Sequence, residues 1–297
     1  MRAQVRFLPD GRRLHLQDGP IDLIVEAFGE STQVRAAYDA AISRFADVLN
    51  ELCSELAFLR SRATANSAMP EGATARRMTL AVAPFARWTF ITPMAAVAGA
   101  VSEEILKAMT SAAQVSKAYV NNGGDIALHL APGEHFVVGM IERPDRRSLL
   151  GTCTLFSHHP VRGIATSGWR GRSFSLGVAD AVTVLAQGAA MADAAATIVA
   201  NAVNLHAHPQ IVRVPARSIS PDSDLGDMLV TQHVPDLSSS EIGQALGHGA
   251  AVAERLVSEC LIDSAALHLQ GTTRVIPARI EFAVQPGAGL SGSVAHG

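Results

Sequence analysis

Hydrophobic and polar positions change period several times along this chain, and each change predicts an element. Residues 3–28 alternate apolar and polar around PDGRR and QDGP. Asp-Gly turns between alternating runs predict two strands there, joined as a hairpin. From Ser31 the period lengthens, and STQVRAAYDAAISRFADVLNELCSELAFLRSR carries apolar residues at helical spacing. That predicts one long helix over 31–62, with Ser31 as its N-cap. ATANSAMPEGATARR (63–77) reads as a small-residue linker, and Pro93 suits the first turn of a second helix reaching Met109.

The middle of the chain is shorter in period and richer in β-branched residues. VSKAYVNNGGDIALHLA, HFVVGMIER, GTCTLFS and RGIATSG predict strands broken by Gly, Pro and charged turns. VADAVTVLAQ predicts another strand, which leads into a helix over MADAAATIVANAV (191–203). Residues 238–262 return to the helical period, 263–276 read as strand, and QPGAGLSGSVAHG as a frayed tail. No fixed-period repeat occurs. The central strands follow one another at turn-length gaps, which favours an α+β fold of antiparallel strands packed with helices over a doubly wound sheet.

Composition narrows the function. The 297 residues are 48% hydrophobic and 17% charged, the balance of a globular protein. Net charge is -3 and no Lys/Arg run exceeds two, so a basic stripe for nucleic acid is missing. Cys53, Cys153 and Cys260 lie far apart, which fits neither a disulfide framework nor a zinc knuckle and suits a reducing compartment. The N-terminal stretch has no apolar h-region. The most apolar region, 178–203, is interrupted by Asp180, Gln187, Asp193 and Asn201, so it is not a membrane span. The expectation is a soluble, cytoplasmic protein without nucleic-acid or membrane partners.

Three stretches carry residues able to do chemistry. In VNNGGDI, two glycines after a strand allow a tight turn whose backbone N–H groups form an anion-binding concavity. The bland reading is a hairpin turn closed by Asn122 and Asp125 on their own backbone. GIATSGWRGRSFSLG offers hydroxyls at Thr166, Ser167 and Ser173, with Arg170 and Arg172, donors that suit a phosphate or pyrophosphate. It lacks the Gly-Lys-Ser/Thr ending of a P-loop, and a solvated loop accounts for it equally. In MADAAATIVANAV, Asp193 and Thr197 project from one helix face and present two oxygens to a hard cation such as Mg²⁺. The alternative is a buried Asp held by backbone donors, with Thr197 bonded back to a carbonyl one turn earlier. His158-His159 and His206/His208 have no carboxylate or cysteine partner nearby in sequence and read as turn or edge residues. No Gly-x-Ser-x-Gly elbow, cysteine-nucleophile context or dinucleotide fingerprint occurs.

Taken in order, VNNGGDI, GIATSG and ADAAAT resemble the ApbE-like superfamily, the FAD:protein FMN transferases, over roughly residues 90 to 275. The likeness is strongest to a shorter bacterial and archaeal branch in which SLGVADAVTV, ADAAATIVAN and a late LHLQG recur. The resemblance implies an ApbE-like (T-fold-related) core over 77–276; the N-terminal hairpin and long helix over 1–62 are expected to pack on it, with 277–297 as a flexible tail. It also implies FAD and Mg²⁺ as ligands, with Asp193 and Thr197 holding the metal. Asn122, Gly123, Gly124 and Asp125 would contact the flavin nucleotide, and Thr166, Ser167 and Gly168 would line the same cleft. An upstream turn, near Ala95 to Gly99, would offer a backbone carbonyl. The implied activity is FMN transfer to a protein acceptor or hydrolysis of FAD; the alternative is a non-catalytic flavin or nucleotide carrier. Two departures bear on that choice. The Lys-Gly pair of the transferases is Ala98-Gly99 here, and their His-Ile-x-Asp-Pro segment is replaced by RSFSLGVADAVTV. Asp180 is the nearest replacement for the missing base.

Overall fold

The computed structural model describes residues 3–64, 68–143, 146–276 and 282–283 of the chain. The N-terminal third holds β1 (Gln4–Phe7), β2 (Leu14–Asp18), β3 (Ile21–Phe28), α1 (Ser31–Ser54), the single turn α2 (Leu56–Leu59) and α3 (Ala73–Val82). A 3-10 turn (Pro93–Ala96) then runs into α4 (Val97–Ala112). The central strands are β4 (Lys117–Asn122), β5 (Asp125–Leu130), β6 (His135–Arg143), β7 (Arg146–Phe156), β8 (Gly163–Ser167) and β9 (Ala181–Ala186). They are followed by α5 (Ala189–Ala202), β10 (Val212–Pro215), α6 (Ala216–Ile219) and β11 (Leu229–His233). The last elements are α7 (Ser239–Ser258), β12 (Ser264–Leu269), β13 (Thr272–Ile276) and β14 (Phe282–Ala283).

Nine strands form one sheet in the order β1-β2-β3-β4-β5-β8-β9-β12-β13, and every pairing in it is antiparallel. The fold is therefore α+β. Helices α1, α4, α5 and α7 pack side by side in that order on one face. The opposite face is covered at its centre, where Leu128, Ile164 and Leu185 meet Leu155 of β7 and Val161. Strand alternation sorts the side chains between these layers: Ala127 and Val184 point to the helices, Leu128 and Leu185 away from them. The β3–β4 pairing makes the N-terminal strands part of the same sheet.

Helix α5 lies between α4 and α7 over β8 and β9, and α3 also packs on it. That position explains its alanines. Ala189, Ala190, Ala192, Ala194, Ala195, Ala196 and Ala200 are all buried, and small side chains let these neighbours approach one helix. The approach is closest at Gly99 of α4, where a Cβ would overlap the Ala189 carbonyl and lie 2.8 Å from the Ala190 nitrogen. Gly163 of β8 has the same relation to the Gly188–Ala189 peptide.

Local punctuation departs from the sequence pattern in several places. Residues 3–28 hold three strands, because both Asp-Gly signals are turns of a meander. Helix α1 is capped by Glu30, whose carboxylate accepts from the Thr32 and Gln33 N–H groups at 3.1 and 3.3 Å. Ser31 is already its first residue. The helix stops at Ser54, and the 63–77 linker gives way at Ala73 to α3, whose buried Met78 and Val82 were outweighed in the pattern by small and charged neighbours. Residues 263–276 are a hairpin turning at Gln270-Gly271, both with positive φ. The small β10–β11 sheet falls in a stretch without clear period. Of the tail expected over 277–297, Phe282–Ala283 form β14 and pair with β7, and the rest lies outside the described residues. No described helix is long and apolar enough to cross a membrane.

Candidate functional site

The turn between β4 and β5 is the first part of the site. Asn122 and Asp125 are paired across it, and Gly123 (φ 64°) and Gly124 (φ 113°) supply the two left-handed positions a two-residue hairpin needs. Asn121, not Asn122, closes the turn: its Oδ1 accepts from the Gly124 N–H at 2.8 Å. Asn122 instead donates to the Ala98 carbonyl at 3.4 Å, tying the turn to the start of α4. Ser102, one turn further along α4, donates to the Asp125 carbonyl at 2.8 Å.

Asp193 projects from the second turn of α5 toward the same place. Its Oδ2 accepts the Gly99 N–H at 3.0 Å, a bond made possible by the close α4–α5 contact. Burial drives the Asp193 carboxyl well above the usual carboxylate range, and the negative charge of Asp125 pushes it further. The Gly99 and Ala98 N–H groups oppose that rise without cancelling it. Burial likewise pushes Asp125 up to about 7, against the Thr166 N–H at 3.3 Å and the field of Arg172. Two desolvated carboxylates thus act on one another, and no cationic side chain among the described residues bears on Asp193. Thr197, one turn after Asp193, is half-buried and makes no hydrogen bond among the described residues. Thr79 and Thr110, by contrast, bond back to carbonyls of their own helices. The Thr197 hydroxyl is therefore unspent.

Strand β8 carries the third segment. The Thr166 N–H reaches Asp125, and the Thr166 hydroxyl bonds to that of Thr183 at 2.9 Å. Ser167 is half-buried at the strand end. Gly168 is forced by close packing, since a Cβ there would lie 2.5 Å from the Asp180 carbonyl oxygen. Beyond it, Arg170 stacks on Trp169 at 4.2 Å and its Nε pairs with Asp180 Oδ1 at 2.6 Å. The other Asp180 oxygen accepts the Gln270 N–H at 2.7 Å. Both oxygens of this buried carboxylate are committed.

The fold thus gathers Asn122, Gly123, Asp125, Thr166 and Asp193 with the Ala98-Gly99 turn. Asp180 is held within a separate network of Arg170 and Gln270. Sequence reasoning overlooked Ser102 and Thr183, whose only signal was a polar residue in an apolar neighbourhood, and gave Asn121 no role although it stands in VNNGGDI. No group of three His, Cys, Asp or Glu that could hold a metal occurs among the described residues. The donors gathered here, two carboxylates, a hydroxyl and nearby backbone groups, suit a hard cation that keeps waters or phosphate oxygens as its other ligands. A groove of about 380 Å³ behind α4, lined by Arg77, Glu103, Lys107, His129, Arg162 and Gly188, contains none of these donors. The three cysteines are free, and His208 has a partner the sequence did not reveal, Glu241 at 3.1 Å.

Among curated proteins, a UPF0280 protein of Methanopyrus kandleri is 40% identical over 134 residues, 44% of this chain and 50% of the relative. One of Methanothermobacter thermautotrophicus is 41% identical over 115 residues, 38% and 43% of the two chains. The chain thus spans about half the length of the curated relatives it matches. Among solved structures, the flavin transferase ApbE of Vibrio cholerae superposes at TM-score 0.45 with 12% identity, covering 90% of this chain and 98% of that one. The apo flavinyl transferase ApbE of Pseudomonas stutzeri gives 0.43 with 8% identity, covering 94% and 96%. The family model described as AbpE bacteria matches residues 5–275, a span that includes every residue of the site, and the chain belongs to that family.

Proposed function

We propose that this protein is a Mg²⁺-dependent flavin-nucleotide enzyme of the FAD:protein FMN transferase kind. It would take FAD and either pass FMN to a protein acceptor or hydrolyse the pyrophosphate. The observation that carries the reading is the desolvated Asp125/Asp193 pair, with no cationic side chain on Asp193, beside a glycine turn. A divalent cation would remove the electrostatic cost of that pair. When bound, Mg²⁺ would supply charge stabilisation at the pyrophosphate. Asp193 and Thr197 are the proposed ligands, with Asp125 close enough to share the charge. Asn122, Gly123, Gly124, Thr166, Ser167 and Gly168 shape the nucleotide side of the cleft. The Ala98 carbonyl is held in place by Asn122.

The resemblance offers Asp180 as the nearest replacement for the base, but its oxygens hold Arg170 and the Gln270 N–H. We assign it the positioning of that loop. Asp180→Asn is expected to lower stability by roughly 1.5–3 kcal/mol through the charged bond it loses, with the Mg²⁺ dependence of ligand binding unchanged. Thermal melts beside calorimetric titrations check both halves. The same observation favours a second reading, a flavin-nucleotide carrier without catalysis. Incubation with FAD and Mg²⁺, followed by chromatography, separates the two: AMP release marks the enzyme, recovery of bound intact FAD the carrier.

Binding itself is tested at the central loops. Asp125→Ala and Ser167→Ala are each expected to weaken FAD binding by roughly 0.5–3 kcal/mol, the charged residue more, while both variants stay folded. Quenching of FAD fluorescence reads the affinities. A wild-type protein that binds neither FAD, FMN nor AMP in the presence of Mg²⁺ overturns the flavin reading.

A further inference from the structure

Most arginines around the core are spent. Arg44 and Arg77 pair with glutamates of α1 and α4, Arg162 donates to three backbone carbonyls, and Arg170 holds Asp180. Arg172 is different. It makes no hydrogen bond or ion pair among the described residues, and it is exposed. Yet its guanidinium lies against the Gly123–Gly124 turn. A Cβ on Gly123 would overlap Nη2 and come within 2.8 Å of Cζ. Glycine at that position thus does two things: it permits the left-handed backbone and it leaves the volume the guanidinium fills. A Cβ built on Gly124 has nothing within 4 Å, so the turn is open on that side.

We propose that Arg172 is the anion-binding arm of this site, donating to the phosphate oxygens of a pyrophosphate-bearing ligand. The inference rests on the preceding reading that the cleft takes a nucleotide pyrophosphate. Its own support is separate: a planar donor fork with unspent N–H groups, seated on the Gly123–Gly124 turn with its field on Asp125. Charge arithmetic points the same way. Two carboxylates and one divalent cation sum to zero, which leaves the two negative charges of a pyrophosphate diester uncompensated. Among the described residues, Arg172 is the cationic side chain whose field reaches Asp125, and Ala98-Gly99 at the start of α4 offers none.

The test uses the full chain with Mg²⁺ and three probes, inorganic pyrophosphate, FAD and riboflavin, each titrated calorimetrically against wild type, Arg172→Lys and Arg172→Gln. Loss of a charged hydrogen bond is expected to weaken pyrophosphate and FAD binding about 10- to 100-fold in Arg172→Gln. Arg172→Lys should recover part of that loss, since it keeps the charge and not the fork. Riboflavin, which lacks phosphate, should bind wild type and Arg172→Gln equally. Arg172→Gln that binds pyrophosphate as tightly as wild type overturns the proposal. If wild type binds pyrophosphate but not FAD, and Arg172→Gln loses it, the arm stands and the flavin reading falls. If wild type binds neither, both fall. Unchanged melting temperatures across the three proteins confirm that binding, and not folding, has been read.

Discussion

Asp193→Asn is expected to abolish the Mg²⁺-dependent part of nucleotide binding while the metal-free protein melts no lower than wild type. The two outcomes come from the same electrostatics. In the wild type the carboxylate is held beside Asp125 in a site that disfavours its charge. An amide keeps the size and an acceptor for the Gly99 N–H, but removes the charge on which a hard cation depends. The gain in FAD affinity that Mg²⁺ gives the wild type should fall by at least about tenfold. Thr197→Val should move in the same direction by less. The pH dependence has a definite sign. A carboxyl whose folded pKa lies above its unfolded value stabilises the fold below the unfolded value, and that contribution is lost as pH rises through the folded one. For Asp125 the loss begins near 3.8 and is complete once pH passes about 7; Asp193 is raised too. The difference in melting temperature in chelator, variant minus wild type, should therefore be larger at high pH than at low pH. A variant that melts several degrees lower and still responds to Mg²⁺ would make Asp193 a structural residue.

What the sequence made legible, and what it did not, follows from where the information sits. Helical and alternating periods are local, so α1, α4, α5, α7 and most central strands could be read from spacing alone. The spacing of Asp193 and Thr197 was read correctly because four residues fix a shared helix face. Failures lie where a local signal is weak or has two sources. Helix α3 begins in a run of Gly, Ala and Thr that resembles a linker, and only contact with α4 and α5 reveals its buried face. Glu30 caps α1 although Ser31 is the better capping type, because the residue in extended conformation does the capping. Pairings between distant segments were beyond reach. Nothing local says that Asp180 meets Arg170 and Gln270, that Asn122 reaches Ala98, or that the charge of Asp125 acts on Asp193. Those contacts decide which carboxylate is spent and which is open, so the motif residues could be named from sequence while their roles could not.

Gly99→Ala is expected to destabilise the protein and weaken Mg²⁺-dependent ligand binding together, against the helical preference of the new residue. Gly99 lies within α4, and in a helix alanine is favoured over glycine by about 1 kcal/mol. Packing opposes this. A Cβ would overlap the Ala189 carbonyl carbon and oxygen and sit 2.8 Å from the Ala190 nitrogen. Those are backbone atoms of the helix that carries Asp193, so no flexible side chain can yield, and α4 and α5 must separate. Overpacking of this kind costs roughly 1–3 kcal/mol and at times more, enough to reverse the propensity gain. Separation would also draw the Gly99 N–H away from Asp193 Oδ2, so affinity should fall with stability. The comparison comes from α7, where a Cβ on Gly243 or Gly247 meets nothing within 4 Å. Gly243→Ala and Gly247→Ala should therefore each raise stability by up to about 1 kcal/mol and leave ligand binding alone. Urea unfolding of the three variants, with FAD titrations in Mg²⁺ and in chelator, reads both quantities. If Gly99→Ala proves as stabilising as the α7 pair, α5 is not held by that contact, and the placement of Asp193 must come from elsewhere.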